Sequence, residues 1–354
     1  MALKIIAYLD DSKIWDEKDI KTEKLTHINY AFAHIKDGKV SADLKKIGIL
    51  EKIKHKNPDI KILISIGGWG ADGFSDAALN CESREIFSDS AVKFMKENGF
   101  DGIDLDWEYP CWDQAGIKAR EEDKFNFTLM LKNLREKLDV AGKKDGRYYL
   151  LTIASGAIEE IIMDMEMPVI HKYLDFINVM TYDLRGSFTN ITGHHANLLP
   201  LKGQKNSISA HNSIMKLKEC KVPSEKIVIG AAFYGRMWKN VKSSGSGLNE
   251  TAKTTGEYMY DYTVLLEDYI NKNGYKRYWD DDAKACYLFN GENFISYEDE
   301  ESIENKCRYV MDNNLGGIMF WEYSLDKSGT LLDKIYKIID RKFEGENKDD
   351  AAVV

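Results

Sequence analysis

Short apolar or β-branched runs alternate along the chain with longer amphipathic stretches, the patterning of alternating strands and helices. Eight runs read as strands: Lys4 to Tyr8, His27 to Phe32, Lys61 to Ile66, Gly102 to Asp106, Tyr149 to Ala154, Phe176 to Thr181, Ile227 to Ala232 and Gly316 to Trp321. Between the fourth and fifth, Phe127, Met130, Leu131, Leu134 and Leu138 recur at helical spacing, with Lys132, Arg135, Glu136 and Lys137 on the other side, so the segment predicts a crossover helix. Repeated units in this number favour an α/β fold closed as a (β/α)8 TIM barrel. An open doubly wound sheet is disfavoured because neither a G-x-G-x-x-G nor a Walker loop follows the first strand.

The spacing breaks once, between the last two strands, where the interval from Ala232 to Gly316 is far longer than a crossover helix requires. It holds the Ser/Gly-rich stretch 243–247 and a concentration of aromatics: Tyr258, Tyr260, Tyr262, Tyr269, Tyr275, Tyr278, Trp279 and Tyr287. Loops of that length rarely stay unstructured in compact domains, so an inserted small domain is expected over residues 240–300. A last helix carrying Ile303, Cys307 and Val310 follows. The barrel then comprises residues 1–239 and 301–342, and the polar tail 343–354 is expected to be disordered.

Composition narrows the partners. A formal net charge of -9 over 354 residues, with no long lysine or arginine run, argues against nucleic acid or an anionic membrane as partner. No window approaches the roughly 18 apolar residues of a membrane span, and residues 1–8 show no signal-peptide pattern. The expectation is a cytoplasmic chain, a mature form, or a domain cut from something longer. Five widely spaced cysteines, without a C-x-x-C pair, signal neither a zinc site nor a disulfide framework; most are expected to be buried thiols. Nothing indicates an obligate oligomer, so a monomer is expected.

The fourth strand is anomalous. The stretch Phe100-Asp101-Gly102-Ile103-Asp104-Leu105-Asp106-Trp107-Glu108-Tyr109-Pro110 sets four carboxylates into an otherwise core-like run, although a buried unpaired carboxylate is expensive. Alternate side chains share a strand face, so Asp104, Asp106 and Glu108 point one way while Ile103, Leu105 and Trp107 point the other. In a barrel this makes a line of acids climbing the inner face, with Glu108 nearest the C-terminal mouth where catalysis takes place. Like charges this close share protons, and at least one pKa rises, which is how a carboxylic acid is kept protonated for general-acid work. The rival readings are an exposed acidic edge strand and a magnesium- or calcium-type site.

These residues bring a family into view. Asp101 to Glu108 resembles the D-x-x-D-x-D-x-E signature of glycoside hydrolase family 18, the chitinase family. It is joined in order by Ser65-Ile66-Gly67-Gly68-Trp69, Met180-Thr181-Tyr182-Asp183, Phe233-Tyr234-Gly235-Arg236 and Gly316-Gly317-Ile318-Met319-Phe320-Trp321-Glu322. The long interval before the last strand is similar to the α+β insertion domain of one branch of that family, where it raises a wall of the substrate cleft. The resemblance implies retaining hydrolysis of β-1,4 bonds between N-acetylglucosamine units in chitin or chito-oligosaccharides, without metal or cofactor. The chemistry it implies is substrate-assisted: the 2-acetamido carbonyl oxygen, not an enzyme group, attacks the anomeric carbon.

Residue by residue, the resemblance implies that Glu108 is the acid/base and that Asp106 holds the acetamido N–H, with Asp104 beneath it sharing a proton. Asp101 is expected to be structural. Tyr182 would hydrogen-bond the acetamido carbonyl, Asp183 and Arg236 would contact sugar, Trp321 would floor the reacting subsite, and Met180 would pack near the acetamido methyl. Trp69, Tyr8, Phe32 and Tyr234 are candidate aromatic platforms or barrel packing. Gly67 and Gly68 are expected to let the backbone turn tightly. The chain departs from the family after Asp183: many relatives place an aromatic, often tryptophan, on the leaving-group side, and here Phe188 stands after Leu184-Arg185-Gly186-Ser187. Relatives with the same motif also cleave N-glycan cores or peptidoglycan-type sugars, and others bind chitin without cleaving it; those last typically lack one of the acids present here. Polymeric chitin is met outside the cell, so an extracellular or cell-surface setting is expected.

Overall fold

In the computed structural model, which describes residues 2–203, 207–243 and 245–339, the strands gather into two sheets. In chain order they are β1 (Lys4–Asp10), β2 (His27–Lys36), β3 (Lys39–Ser41), β4 (Lys61–Gly67), β5 (Gly102–Asp106), β6 (Leu150–Gly156), β7 (Phe176–Met180), β8 (Ile227–Ala232), β9 (Tyr234–Trp238), β10 (Glu257–Asp261), β11 (Lys276–Asp280), β12 (Ala285–Phe289), β13 (Phe294–Tyr297) and β14 (Gly317–Trp321). One sheet runs β1-β14-β8-β7-β6-β5-β4-β2-β3, and β1 also pairs with β2. Eight strands therefore close into the expected (β/α)8 barrel, and β3 is a short antiparallel appendage on β2. Strand β2 outruns its expected end at Phe32 because its register shifts between Ala31 and Ala33, after which it turns to pair with β3.

The sequence periodicities have direct counterparts. Helix Asp123–Asp145 buries Phe127, Met130, Leu131, Leu134 and Leu138 as one apolar stripe. Helix Glu300–Asp312 buries Ile303, Cys307 and Val310, and Asp299 and Ser302 close a capping box at its start.

The second sheet, antiparallel in the order β10-β9-β13-β12-β11, lies in the chain between the seventh and eighth barrel strands. It begins at Tyr234, upstream of the expected boundary at 240, since only Phe233 separates β8 from β9. The reason is packing: Trp238 of β9 is fully buried with Val241, Ala252, Tyr287, Phe289 and Phe294, so the segment belongs to this sheet's core. Several of the aromatics that mark the region serve that core; Tyr287 stacks on Tyr278 at 5.1 Å and on Phe294 at 4.9 Å.

By internal packing the chain divides into two compact units, Ile6–Met180 with Ser213–Val228, and the described residues of Met1–Ile5, Thr181–Asn212 and Ile229–Val354. The expected tail 343–354 lies outside the described residues. The expectation of mostly buried cysteines is corrected: Cys286 and Cys307 are buried, Cys111 and Cys220 are half-buried and Cys81 is exposed. Cys81 opens helix Cys81–Glu97, on the turn that Asn80 caps toward solvent. Among the described residues no helix is long and apolar enough to cross a membrane.

Candidate active site

Strand β5 has the two faces its sequence requires. On one, Ile103 and Leu105 are fully buried, and Trp107 stacks on Phe74 at 5.3 Å with Phe127 edge-on at 5.4 Å. On the other stands Asp104, also fully buried, with donors on both oxygens. Oδ2 accepts from the Tyr8 hydroxyl and the Ser65 hydroxyl, each at 2.9 Å. Oδ1 accepts from the Thr152 hydroxyl at 2.6 Å and the Asn178 amide at 3.3 Å. Burial pushes the Asp104 pKa up, and these four donors work against that shift without cancelling it.

Asp106, one step along the same face, is 3 % exposed. Its Oδ1 is buried without a hydrogen-bond partner among the described residues. Burial, then the charge of Glu108, then that of Asp104 drive its pKa well above the usual carboxylate range. The three acids thus form a column whose two buried members, Asp104 and Asp106, both have raised pKa values, while Glu108 at the top is half-buried. Among the described residues no group of three or more His, Cys, Asp or Glu side chains is arranged to hold a metal ion.

The backbone beside this column is fixed by glycine. Gly67 adopts φ +123°, and a Cβ there would fall 2.1 Å from the Asp106 carbonyl oxygen. Gly68 follows at φ +95° and donates its N–H to that same oxygen at 2.8 Å. Asp101 anchors the strand's other end, accepting the Ile62 N–H at 2.9 Å and ion-pairing with Lys54 at 2.8 Å and with Arg147.

A second cluster is built around Asp183. Its Oδ1 accepts from the Tyr234 hydroxyl at 2.7 Å and from Arg236 Nε at 2.5 Å. His195, fully buried, places Nδ1 3.5 Å from the same oxygen. Burial raises the Asp183 pKa, but His195 and Arg236 outweigh it and hold the carboxyl well below its ordinary range. Tyr182 is 9 % exposed, meets the Tyr234 ring edge-on at 6.3 Å and has its hydroxyl 3.8 Å from Met319 Sδ.

The remaining candidates separate by exposure. Trp69 and Phe188 present large apolar faces, 66 % and 70 % exposed, with Tyr109 edge-on to Trp69 at 6.5 Å. Trp321 and Phe32 are half-buried, and the Phe32 ring lies against Gly68. Met180 is buried. Tyr8 and Tyr234 are nearly inaccessible, and each spends its hydroxyl on an aspartate, Tyr8 on Asp104 and Tyr234 on Asp183. Sequence reasoning assigned no role to Thr152, Asn178 or His195. Thr152 was findable, since it is register-matched to Asp104 across the β5–β6 pair and so shares its face. No sequence signal marks His195, which comes from an irregular loop.

The family described as Glycosyl hydrolases family 18 matches residues 4–326. Chitinase A1 of Niallia circulans is 42% identical over 306 residues, 82% of this chain and 44% of that one, so the chain spans less than half of that relative's length. Chitotriosidase-1 of Mus musculus is 30% identical over 350 residues, covering 92% of this chain and 74% of the other. Among solved structures, a family 18 N-acetylglucosaminidase from Paenibacillus barengoltzii superposes with TM-score 0.92 at 46% identity, over 95% of this chain and 99% of that one. A class V chitinase from Nicotiana tobaccum in complex with NAG4 superposes with TM-score 0.86 at 25% identity, over 95% and 99% of the two chains.

Proposed function

The chain belongs to the glycosyl hydrolases of family 18, and on that premise we propose that it hydrolyses β-1,4 linkages between N-acetylglucosamine units in chitin and chito-oligosaccharides with retention of configuration. The observation that carries this reading is the column Asp104, Asp106 and Glu108, with a raised pKa on its middle member. Glu108 protonates the glycosidic oxygen as the bond to the leaving sugar breaks. The substrate's acetamido carbonyl oxygen closes on the anomeric carbon, giving an oxazolinium ion, and Glu108 then takes a proton from the water that opens it. Asp106 accepts the acetamido N–H and, as positive charge develops, its negative charge becomes worth most in a water-poor site. Asp104 shares the proton that Asp106 gives up, and one of the hydroxyls that donate to it, from Tyr8, Ser65 or Thr152, turns to accept that proton in its place.

Tyr182 orients the acetamido carbonyl, so the nucleophile arrives positioned. Asp183 and Arg236 hydrogen-bond sugar hydroxyls; Trp321 and Met180 supply apolar contact to the reacting sugar, and Trp69 and Phe188 offer exposed rings to sugars further along the chain. Because the substrate brings its own nucleophile, the step calls for neither metal nor cofactor. Because polymeric chitin is met outside the cell, the reading puts the reaction there or at the cell surface.

The test follows hydrolysis of a soluble N-acetylglucosamine pentamer by proton NMR, comparing the native chain with Glu108→Gln. First appearance of the β-anomer, lost in the variant, supports the reading; a bound but intact pentamer makes the protein a chitin-binding lectin, and equal cleavage of an acetamido-free glucan sinks the substrate-assisted step. The 46% identity to the N-acetylglucosaminidase from Paenibacillus barengoltzii favours a second reading, release of single sugars from a chain end. Early products from the same pentamer separate the two: monomer and tetramer for that activity, dimer and trimer for a chain-cleaving enzyme.

A further inference from the structure

We propose that the buried ion pair Lys306–Glu298 is a positioning device for Tyr182 and Asp183; this rests on the reading of those two residues as substrate groups. Both side chains are 1% exposed. Lys306 Nζ donates to Glu298 Oε1 at 2.8 Å and to the Gly230 carbonyl at 2.8 Å, and reaches the Thr181 carbonyl at 3.5 Å. Glu298 Oε1 accepts the Ala232 N–H at 2.8 Å. One ion pair therefore ties two backbone segments: the one entering Tyr182 and Asp183, and the one leading through Phe233 to Tyr234, whose hydroxyl Asp183 accepts.

The Thr181 side chain completes the clamp. Its Oγ1 donates to the Gly230 carbonyl at 2.7 Å and accepts the Gly230 N–H at 2.9 Å. Stability alone is a poor account of such a pair, because fully desolvated charges are often replaced by apolar groups without loss. An ammonium has three donors and so can hold a carboxylate and two carbonyls at fixed separation, which no apolar side chain can do. Lys306 and Glu298 touch no substrate and act through the backbone they fix.

The experiment compares the native chain, the double variant Glu298→Gln with Lys306→Met, and Arg277→Met, which breaks the half-exposed contacts to Asp299 and Glu301 at the start of the same helix. Pentamer kinetics and thermal melts are read together. The proposal expects a cooperative melt for the double variant with kcat down about 10-fold or more through Tyr182, and KM rising as well through Asp183, since small misplacement of a reacting geometry costs turnover. It expects Arg277→Met to lower the melting temperature while kcat holds. A double variant with native kcat overturns the proposal. If the double variant does not fold, Thr181→Val decides in its place: a matching fall in kcat supports the clamp, and native kcat overturns it. A Tyr182→Phe arm keeps the two claims apart, because native kcat there removes Tyr182 from the chemistry whatever the clamp variants do.

Discussion

Asp106→Asn should make the protein more stable and nearly inactive, and the gain should depend on pH. The native carboxyl is 3 % exposed, with Oδ1 unpartnered among the described residues and Glu108 and Asp104 as charged neighbours. Its pKa in the folded state is raised above the unfolded value, so the fold retains a proton that the unfolded chain releases above about pH 4. Stability therefore falls as pH rises from there through the raised pKa. The amide cannot ionise and can donate to either neighbouring acid. Relieving one buried unsatisfied polar group is worth about 1–3 kcal/mol. With roughly 2.1 cal/mol/K of unfolding entropy per residue, a chain of 354 residues converts that into an upward shift of about 1–4 °C. Melts of native and variant chains at pH 4 and pH 8 test it, with the gap smaller at the lower pH and wider at the higher. Turnover should drop by about 10²-fold or more through loss of the charge facing the acetamido group. A variant less stable than native at pH 8, or a gap equal at both pH values, would refute the account of the acidic column.

Other outcomes follow from the same geometry. Arg236→Met removes one of the two groups that hold Asp183 low, so Asp183 should titrate nearer the ordinary range; the acid limb of kcat/KM should move to higher pH, with KM up by about 10-fold for the lost charged hydrogen bond. The stability that Asp183 contributes, present above the unfolded carboxyl pKa and lost as pH falls through the folded one, should shrink in the same variant. Gly67→Ala drives a Cβ to 2.1 Å from the Asp106 carbonyl oxygen at φ +123°, which should cost about 3 kcal/mol or more and show as a large loss of melting temperature. Gly48→Ala, on helix Ile47–Lys56 with nothing within 4 Å of the new Cβ, should instead gain up to about 1 kcal/mol by the same assay.

The acidic strand was legible because its meaning is local. A period of two and a run of apolar and acidic residues suffice to sort Asp104, Asp106 and Glu108 from Ile103, Leu105 and Trp107, and the structure keeps that sorting. Barrel closure was legible for a related reason: the eight strands repeat, and short parallel units need crossovers that the amphipathic segments supply. The start of the second sheet was not, because only Phe233 separates β9 from β8, too short an interval to mark a break between two strands. Which sheet it joins depends on partners far away in sequence, Met237 on Ile295 and Arg236 on Ser296.

The electrostatics divide along the same line. That acids would crowd together, and that one would hold its proton, follows from their spacing along a single strand. Which residues temper them does not: Tyr8, Ser65, Thr152 and Asn178 come from four other strands to meet Asp104, and His195 reaches Asp183 from a loop. Periodicity records what a side chain does relative to its own backbone, whereas desolvation and hydrogen-bond partners are properties of the space that distant segments enclose. A tyrosine that the pattern leaves open as a sugar platform becomes, once the barrel closes over it, a donor to a buried carboxylate.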